Sequence, residues 1–256
     1  MHLGRLTLLT FALLSAALGA QEATKDTLGR DYWVYLPKRI EANRAYWLVV
    51  GVHGMGGTGK GAGGFSSWAQ KRSDCIVLGP TFPSDGYQFL QKDSDTQLLK
   101  LMEELGKRHR LQPKAFVVGF SGGAQFAHRF AHAHPEKVVG VAAHSAGSWS
   151  TGGQWGEVNA AARGIPQLVT CGLDDTSKMA PQAPFGRLEW AQAYARKLEA
   201  DGYPLLTAWI PRTSHSLSPE AMRLTEVTFD VAVGGTGAKG PEAERLKAAL
   251  KRASAR

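Results

Sequence analysis

The stretch Lys114 to Ala127 constrains this chain more than any other: Lys-Ala-Phe-Val-Val-Gly-Phe-Ser-Gly-Gly-Ala-Gln-Phe-Ala. Ala115 to Val118 is a short apolar run rich in β-branched residues. Ala124, Phe126, Ala127, Phe130 and Ala131 then recur at helical spacing. A buried strand, a sharp turn and a helix are the plain reading. The turn, Gly119-Phe120-Ser121-Gly122-Gly123, has the form G-x-S-x-G. Missing side chains at Gly119 and Gly123 let the strand and helix approach closely, while the serine hydroxyl is held up at a strained corner.

The rest of the chain repeats the strand-then-helix pattern. Strands are expected at Asp31 to Leu36, Tyr46 to Val52, Cys75 to Gly79, Lys137 to Ala143, Ile165 to Cys171 and Leu205 to Ile210. Helices are expected at Phe65 to Lys71, Asp95 to Arg108, Phe185 to Gly202, and after Ser218-Pro219, a cap followed by proline at the first helical position. This alternation predicts an α/β fold: a mostly parallel, doubly wound sheet with helices on both faces. The chain divides into a signal segment (1–20), one α/β domain (25–233) and a basic flexible tail (234–256), with one helical stretch read within the tail from Pro241 to Arg252. Gly, Ala, Lys and Arg dominate that tail.

The first twenty residues carry Arg5, an apolar core from Leu6 to Leu18, and small residues Ala17, Gly19 and Ala20. That is the layout of an export signal, and the apolar run is short for a membrane span. A secreted or periplasmic protein is expected, with no stable membrane insertion after signal removal. Cys75 opens one predicted strand and Cys171 closes another, so in a parallel sheet they lie at opposite edges; two buried free thiols are expected, without a disulfide. The formal net charge is +8, and from Lys239 onward six basic residues face only Glu242 and Glu244. This excess reads as a solvated tail, so no nucleic-acid partner follows from it. Oligomeric state is not legible.

Ligands of open α/β sheets sit beyond the carboxyl ends of the strands. Four predicted strand ends there carry glycine-rich or polar residues, in the order His53-Gly54-Met55-Gly56, Ser121, Asp174-Asp175 and His215. A serine hydroxyl becomes a nucleophile when a histidine takes its proton, and a carboxylate fixes the tautomer of that imidazole. Alternate residues of an extended chain point to opposite sides, so only one of Asp174 and Asp175 faces the histidine.

From about Asp31 to Asp230 the chain resembles serine hydrolases of the α/β-hydrolase fold. It is similar to the dienelactone hydrolase, phospholipase/carboxylesterase and polyhydroxybutyrate-depolymerase-like esterase branches. The matching residues are His53-Gly54, Gly119-Phe120-Ser121-Gly122-Gly123, Pro135-Glu136, Gly172-Leu173-Asp174-Asp175 and His215. The resemblance implies Ser121 as nucleophile, His215 as base and Asp175 as acid, with Asp174 the alternative. It implies an oxyanion hole from the backbone N–H groups of Gly122 and of Met55, with Gly56 the alternative to Met55. Relatives often have glycine before the histidine; Ser214 stands there in this chain. The implied activity is hydrolysis of small or medium carboxylic esters without cofactor or metal. A peptidase on the same scaffold, or a silent binding module, are the competing readings.

Other signals are weaker. Gly54 to Lys60 fits part of a phosphate-binding loop, but Gly61 stands where a magnesium-binding Ser or Thr belongs. His128 and His132 are at zinc-protease spacing, but Arg129 replaces the required glutamate, so they read as surface histidines of the helix after Ser121. His144 reads as structural or pocket-lining. Phe82, Tyr87, Trp149 and Trp155 fall on loops above the serine, either as packing or as a pocket.

Overall fold

The computed structural model describes residues 21–26, 29–83, 85–235 and 237–255; the expected signal segment lies outside them. The strands are β1 (Gln21–Lys25), β2 (Asp31–Tyr35), β3 (Tyr46–Val52), β4 (Cys75–Pro80), β5 (Leu111–Phe120), β6 (Val138–His144), β7 (Gln167–Gly172) and β8 (Leu205–Ile210). The helices are α1 (Trp68–Lys71), α2 (Ser94–Arg108), α3 (Gly122–Ala133), α4 (Arg187–Ala200), α5 (Pro219–Ala232) and α6 (Pro241–Ser254). All eight strands join one sheet in the order β1-β2-β4-β3-β5-β6-β7-β8. β2 runs antiparallel to both of its neighbours, β1 and β4, and β3 through β8 are mutually parallel.

Strand side chains alternate between faces, and helices cover both. Leu48, Val50, Ile76, Leu78, Val117, Val141 and Val169 pack with Leu98, Leu101, Phe126, Phe130, Trp190 and Tyr194 of α2, α3 and α4. Val49, Val77, Phe116, Val118, Ala142 and Leu168 pack on the other face with Trp68, Leu224, Phe229 and Leu246 of α1, α5 and α6. Because neither face meets water, the central strands read as continuous apolar runs.

Two boundaries need correction. The sheet starts at Gln21, because β1 pairs along β2 through its backbone. The segment after residue 233 is not a loose tail: α6 buries Ala243 and Leu246 against the α5 face. Pro241 opens α6, Glu242 and Glu244 occupy its first turn and Lys251 and Arg252 its last, which suits the helix dipole. Arg223 of α5 bridges to Glu242 at 2.9 Å, and burying Leu246 alone stabilises the fold by roughly 1.5–3 kcal/mol. The apolar stripe is narrow and sits among basic residues, so composition masked it.

Cys75 and Cys171 are free and buried, with β3, β5 and β6 between their strands. Among the described residues no helix is long and apolar enough to cross a membrane, and no group of three His, Cys, Asp or Glu is placed to hold a metal.

Candidate active site

Parallel register lines up the strand ends. Val52 pairs with Gly119, Phe120 with His144, His144 with Thr170, and Gly172 with Ile210. The loops that follow therefore emerge along one edge. At the centre Ser121 adopts φ 56° and ψ −120°, a strained backbone for any residue but glycine. Its surroundings enforce it. The Ser121 N–H donates to His144 O at 2.9 Å, and Ser121 O accepts from the Ala124 and Gln125 N–H groups at 3.1 Å. A Cβ at Gly119 would lie 2.3 Å from the Gly123 carbonyl, and one at Gly123 would lie 2.2 Å from Val52 O of β3, so the helix start can approach both strands only with glycine at each position.

His215 arrives on the loop between β8 and α5. That loop packs onto Gly172, where a Cβ would sit 2.0 Å from Thr213 O, and Thr213 O accepts from the Asp174 N–H at 3.0 Å. The ring lies 4.7 Å from that of Phe120. Its Nε2 is 3.0 Å from Ser121 Oγ, and its Nδ1 is 2.8 Å from Asp175 Oδ2. With Nδ1–H donating to the carboxylate, Nε2 is left free to accept the hydroxyl proton. Of the two candidate acids, Asp175 is the one that meets His215. It is 2% exposed, whereas Asp174 faces solvent. A turn closed by the Asp175 N–H on Gly172 O at 3.1 Å selects between them. Burial alone would raise the Asp175 carboxyl; the hydrogen bond and charge of His215, then the charge of Arg187 and the Ser145 hydroxyl, outweigh it and hold the group below the usual carboxylate range.

The loop after β3 supplies the second wall. Gly57 N–H donates to Gly54 O at 3.0 Å, closing a turn over Met55 and Gly56, with Gly56 at φ 74°. The Met55 amide nitrogen lies 3.0 Å from the point a Cβ on Gly122 would occupy, so Met55 is the loop residue set against the elbow. Gly56 serves the turn. The Tyr87 hydroxyl, buried, donates to His53 O at 2.8 Å and comes within 2.6 Å of the same Gly122 point. His53 ties the loop from the other side: its Nδ1–H donates to Gly54 O at 2.7 Å and its Nε2 accepts from the Phe82 N–H at 3.0 Å. Burial keeps that imidazole neutral, lowering its pKa.

The α3 histidines depart from expectation, and the readings left open resolve. His128 and His132 are buried, not on the surface, because Ser148 to Asn159 lies across α3. His128 Nε2 accepts from the Ser150 N–H at 3.1 Å, and His132 Nδ1 from the Asn159 N–H at 3.4 Å. Phe82, Tyr87 and Trp149 are core residues, while Trp155 packs edge-on against Trp190 at 4.5 Å. His144 is structural, between Thr170 Oγ1 at 2.8 Å and Thr225 Oγ1 at 3.0 Å. The glycine-rich segment up to Gly61 leads into a short 3-10 turn, Ala62–Gly64, and Lys60 is exposed. Tyr87, expected on a loop above the serine, is a neighbour of the site. Ser145, Cys171 and Arg187 are neighbours that sequence reading missed, and nothing in their spacing marked them.

No family model and no curated protein matches this chain. Solved structures do. A thermostable esterase superposes with TM-score 0.62 at 19% identity, over 81% of this chain, which spans 62% of that esterase's length. A ferulic acid esterase from Anaeromyces mucronatus gives 0.64 at 14% identity, covering 84% of this chain and 90% of its own. A poly(3-hydroxybutyrate) depolymerase from Bordetella parapertussis gives 0.63 at 15% identity, covering 91% and 95%. At such identities the likeness is one of fold, and it agrees with the sheet order, the elbow at Ser121 and helices on both faces: this chain has the α/β-hydrolase fold.

Proposed function

We propose that this chain is an exported serine hydrolase that cleaves small or medium carboxylic esters through an acyl-serine intermediate. The observation that carries the reading is the pair of contacts on His215: Ser121 Oγ at 3.0 Å on one nitrogen and Asp175 Oδ2 at 2.8 Å on the other. His215 Nε2 takes the hydroxyl proton as Ser121 Oγ attacks the ester carbonyl. The resulting imidazolium is stabilised by Asp175. Negative charge builds on the former carbonyl oxygen, toward the Met55 and Gly122 N–H groups; one such donor is worth roughly 10²–10³ in rate. His215 then gives its proton to the departing alcohol. Water, deprotonated by the same nitrogen, releases the acid and restores the serine.

Ser121 is half-buried and His215 exposed, so the reacting groups are open to substrate and water. That two of the similar structures are named as esterases supports reading esters ahead of amides. The export reading rests on the first twenty residues. A p-nitrophenyl ester series of increasing acyl length, run beside matched p-nitroanilides, tests the substrate class. The expected result is turnover of the shorter esters with kcat/KM at least 10³-fold above the anilides. Equal turnover of anilides would favour a peptidase, and no turnover of either would favour a silent binding module.

A further inference from the structure

The acid of the triad does not serve the histidine alone. Asp175 Oδ2 accepts from His215 Nδ1, and the Cys171 sulfur on β7 lies 3.8 Å from the same oxygen. Ser145, in the turn after β6 and at φ 49°, donates to that sulfur at 3.7 Å. Burial pushes the Cys171 thiol up to about 12, so it remains a neutral S–H donor. The other oxygen, Oδ1, faces a cation: Arg187 Nη1 is 3.6 Å away, on a side chain only 18% exposed.

Arg187 is held there by backbone more than by its own donors. It opens α4, its N–H donates to Ser177 O at 3.2 Å, and the Leu188 N–H donates to Asp175 O at 3.0 Å. Its Nη1 also reaches Ser177 O at 3.3 Å, while its buried Nε has no hydrogen-bond partner. An Nε left unsatisfied is a cost, offset by what Nη1 reaches, the Asp175 carboxylate at 3.6 Å and the Ser177 carbonyl at 3.3 Å. The charged and titratable groups facing Asp175 are His215 from the β8–α5 loop, Arg187 from α4 and Cys171 from β7. Asp174, next along the chain, is exposed. Among the described residues Arg187 is thus the permanent cation within ion-pair distance of the acid.

A cation at Oδ1 does two things. It favours the ionised carboxylate against the cost of burial, and it subtracts from the negative potential that the carboxylate projects onto the imidazole. We propose that Arg187 is a positioning residue of the triad: it anchors Oδ1 so that Oδ2 stays turned to His215, and it offsets part of the carboxylate's charge at the base. The inference rests on the hydrolase reading above.

The test compares wild type with Arg187→Gln, Arg187→Met and Arg187→Lys. The readouts are kcat/KM for one p-nitrophenyl ester and the rate of serine labelling by a fluorophosphonate, each from pH 5 to 9, with thermal melts to confirm folding. Both neutral variants should move the acidic limb of both profiles up by about half to one pH unit, because protonation of the base is then opposed by one positive charge fewer. Their plateau kcat should fall about tenfold with KM within twofold, since Arg187 steadies the acid and is not placed against the reacting oxygen. Arg187→Lys should keep the wild-type limb. A purely structural arginine would lower the plateau without moving the limb. Limbs of the neutral variants that overlay wild type, or a lysine variant shifted as far as glutamine, overturn the proposal while hydrolysis itself stands. Two neutral variants keep the comparison available if one fails to fold. A wild type showing neither turnover nor labelling overturns the hydrolase reading, and this inference with it.

Discussion

Ser121→Ala should lower kcat for a p-nitrophenyl ester about 10⁵–10⁶-fold while the protein stays folded. The size follows from what is lost. Without Oγ there is no acyl-enzyme, and what remains is binding and two backbone donors acting on attack by water. His215→Ala should cost a similar factor, and the double variant no more than either single one, because nucleophile and base act as a unit. The acid provides the finer discrimination. Asp175→Asn should cost about 10⁴-fold, since an amide at 2.8 Å from Nδ1 favours the wrong tautomer of His215. Asp174→Asn should remain within twofold, since Asp174 is exposed and meets the site only through its backbone N–H. Steady-state kinetics on the five variants, with melts as the folding control, checks the pattern. Equal losses at 174 and 175 would contradict it.

The second large effect is on stability. Among the described residues four histidines are buried as neutral rings: His53, His128, His132 and His144. Burial is the leading cause in each. It lowers His132 to about 4 and His144 to about 3, and the Arg129 charge deepens the shift at His128 and His132. The unfolded chain titrates these rings near 6.5. Between 6.5 and the folded values the unfolded state therefore binds more protons, and stability falls as pH falls. Above 6.5 the contribution is complete. At pH 5 each ring that stays neutral in the fold has lost about 2 kcal/mol, so His132 and His144 together remove about 4 kcal/mol. A domain of this kind has roughly 5–15 kcal/mol in total.

The geometry names the first place to yield. His128 Nε2 and His132 Nδ1 accept backbone N–H groups of Ser150 and Asn159 only while unprotonated. Segment 148–159 should detach from α3 before the sheet opens. Urea unfolding at pH steps from 7.5 to 4.5 should show a steady loss of ΔG below about 6.5, with a shallower slope in His144→Asn. A ΔG constant from 7.5 to 5 would contradict the account.

The fold was legible where physics left one solution. β3, β5 and β7 are buried on both faces, so their apolar runs announce themselves, and the elbow needs glycine on either side of Ser121 because backbone meets backbone there. The order of serine, acid and histidine was legible for the same reason: each follows a strand of a parallel sheet. β1 was not, because Gln-Glu-Ala-Thr-Lys pairs at the sheet edge through its backbone and needs no apolar pattern. α6 was legible as a helical stretch from Pro241 to Arg252, but its docking was not, because a short stripe of Ala243 and Leu246 was diluted by charge. The burial of His128 and His132 depends on where segment 148–159 lies, and spacing along α3 is silent about that. Asp175 could be separated from Asp174 only by a turn, and Arg187, Cys171 and Ser145 reach the acid only through loop closure.

The central claim is that an activated hydroxyl stands at position 121. The most direct measurement is mass spectrometry of the intact and digested protein after treatment with a fluorophosphonate. One adduct per chain is expected on the peptide containing Ser121, absent in Ser121→Ala and strongly slowed in His215→Ala. An unmodified wild type, or an adduct carried by any other residue, would contradict it.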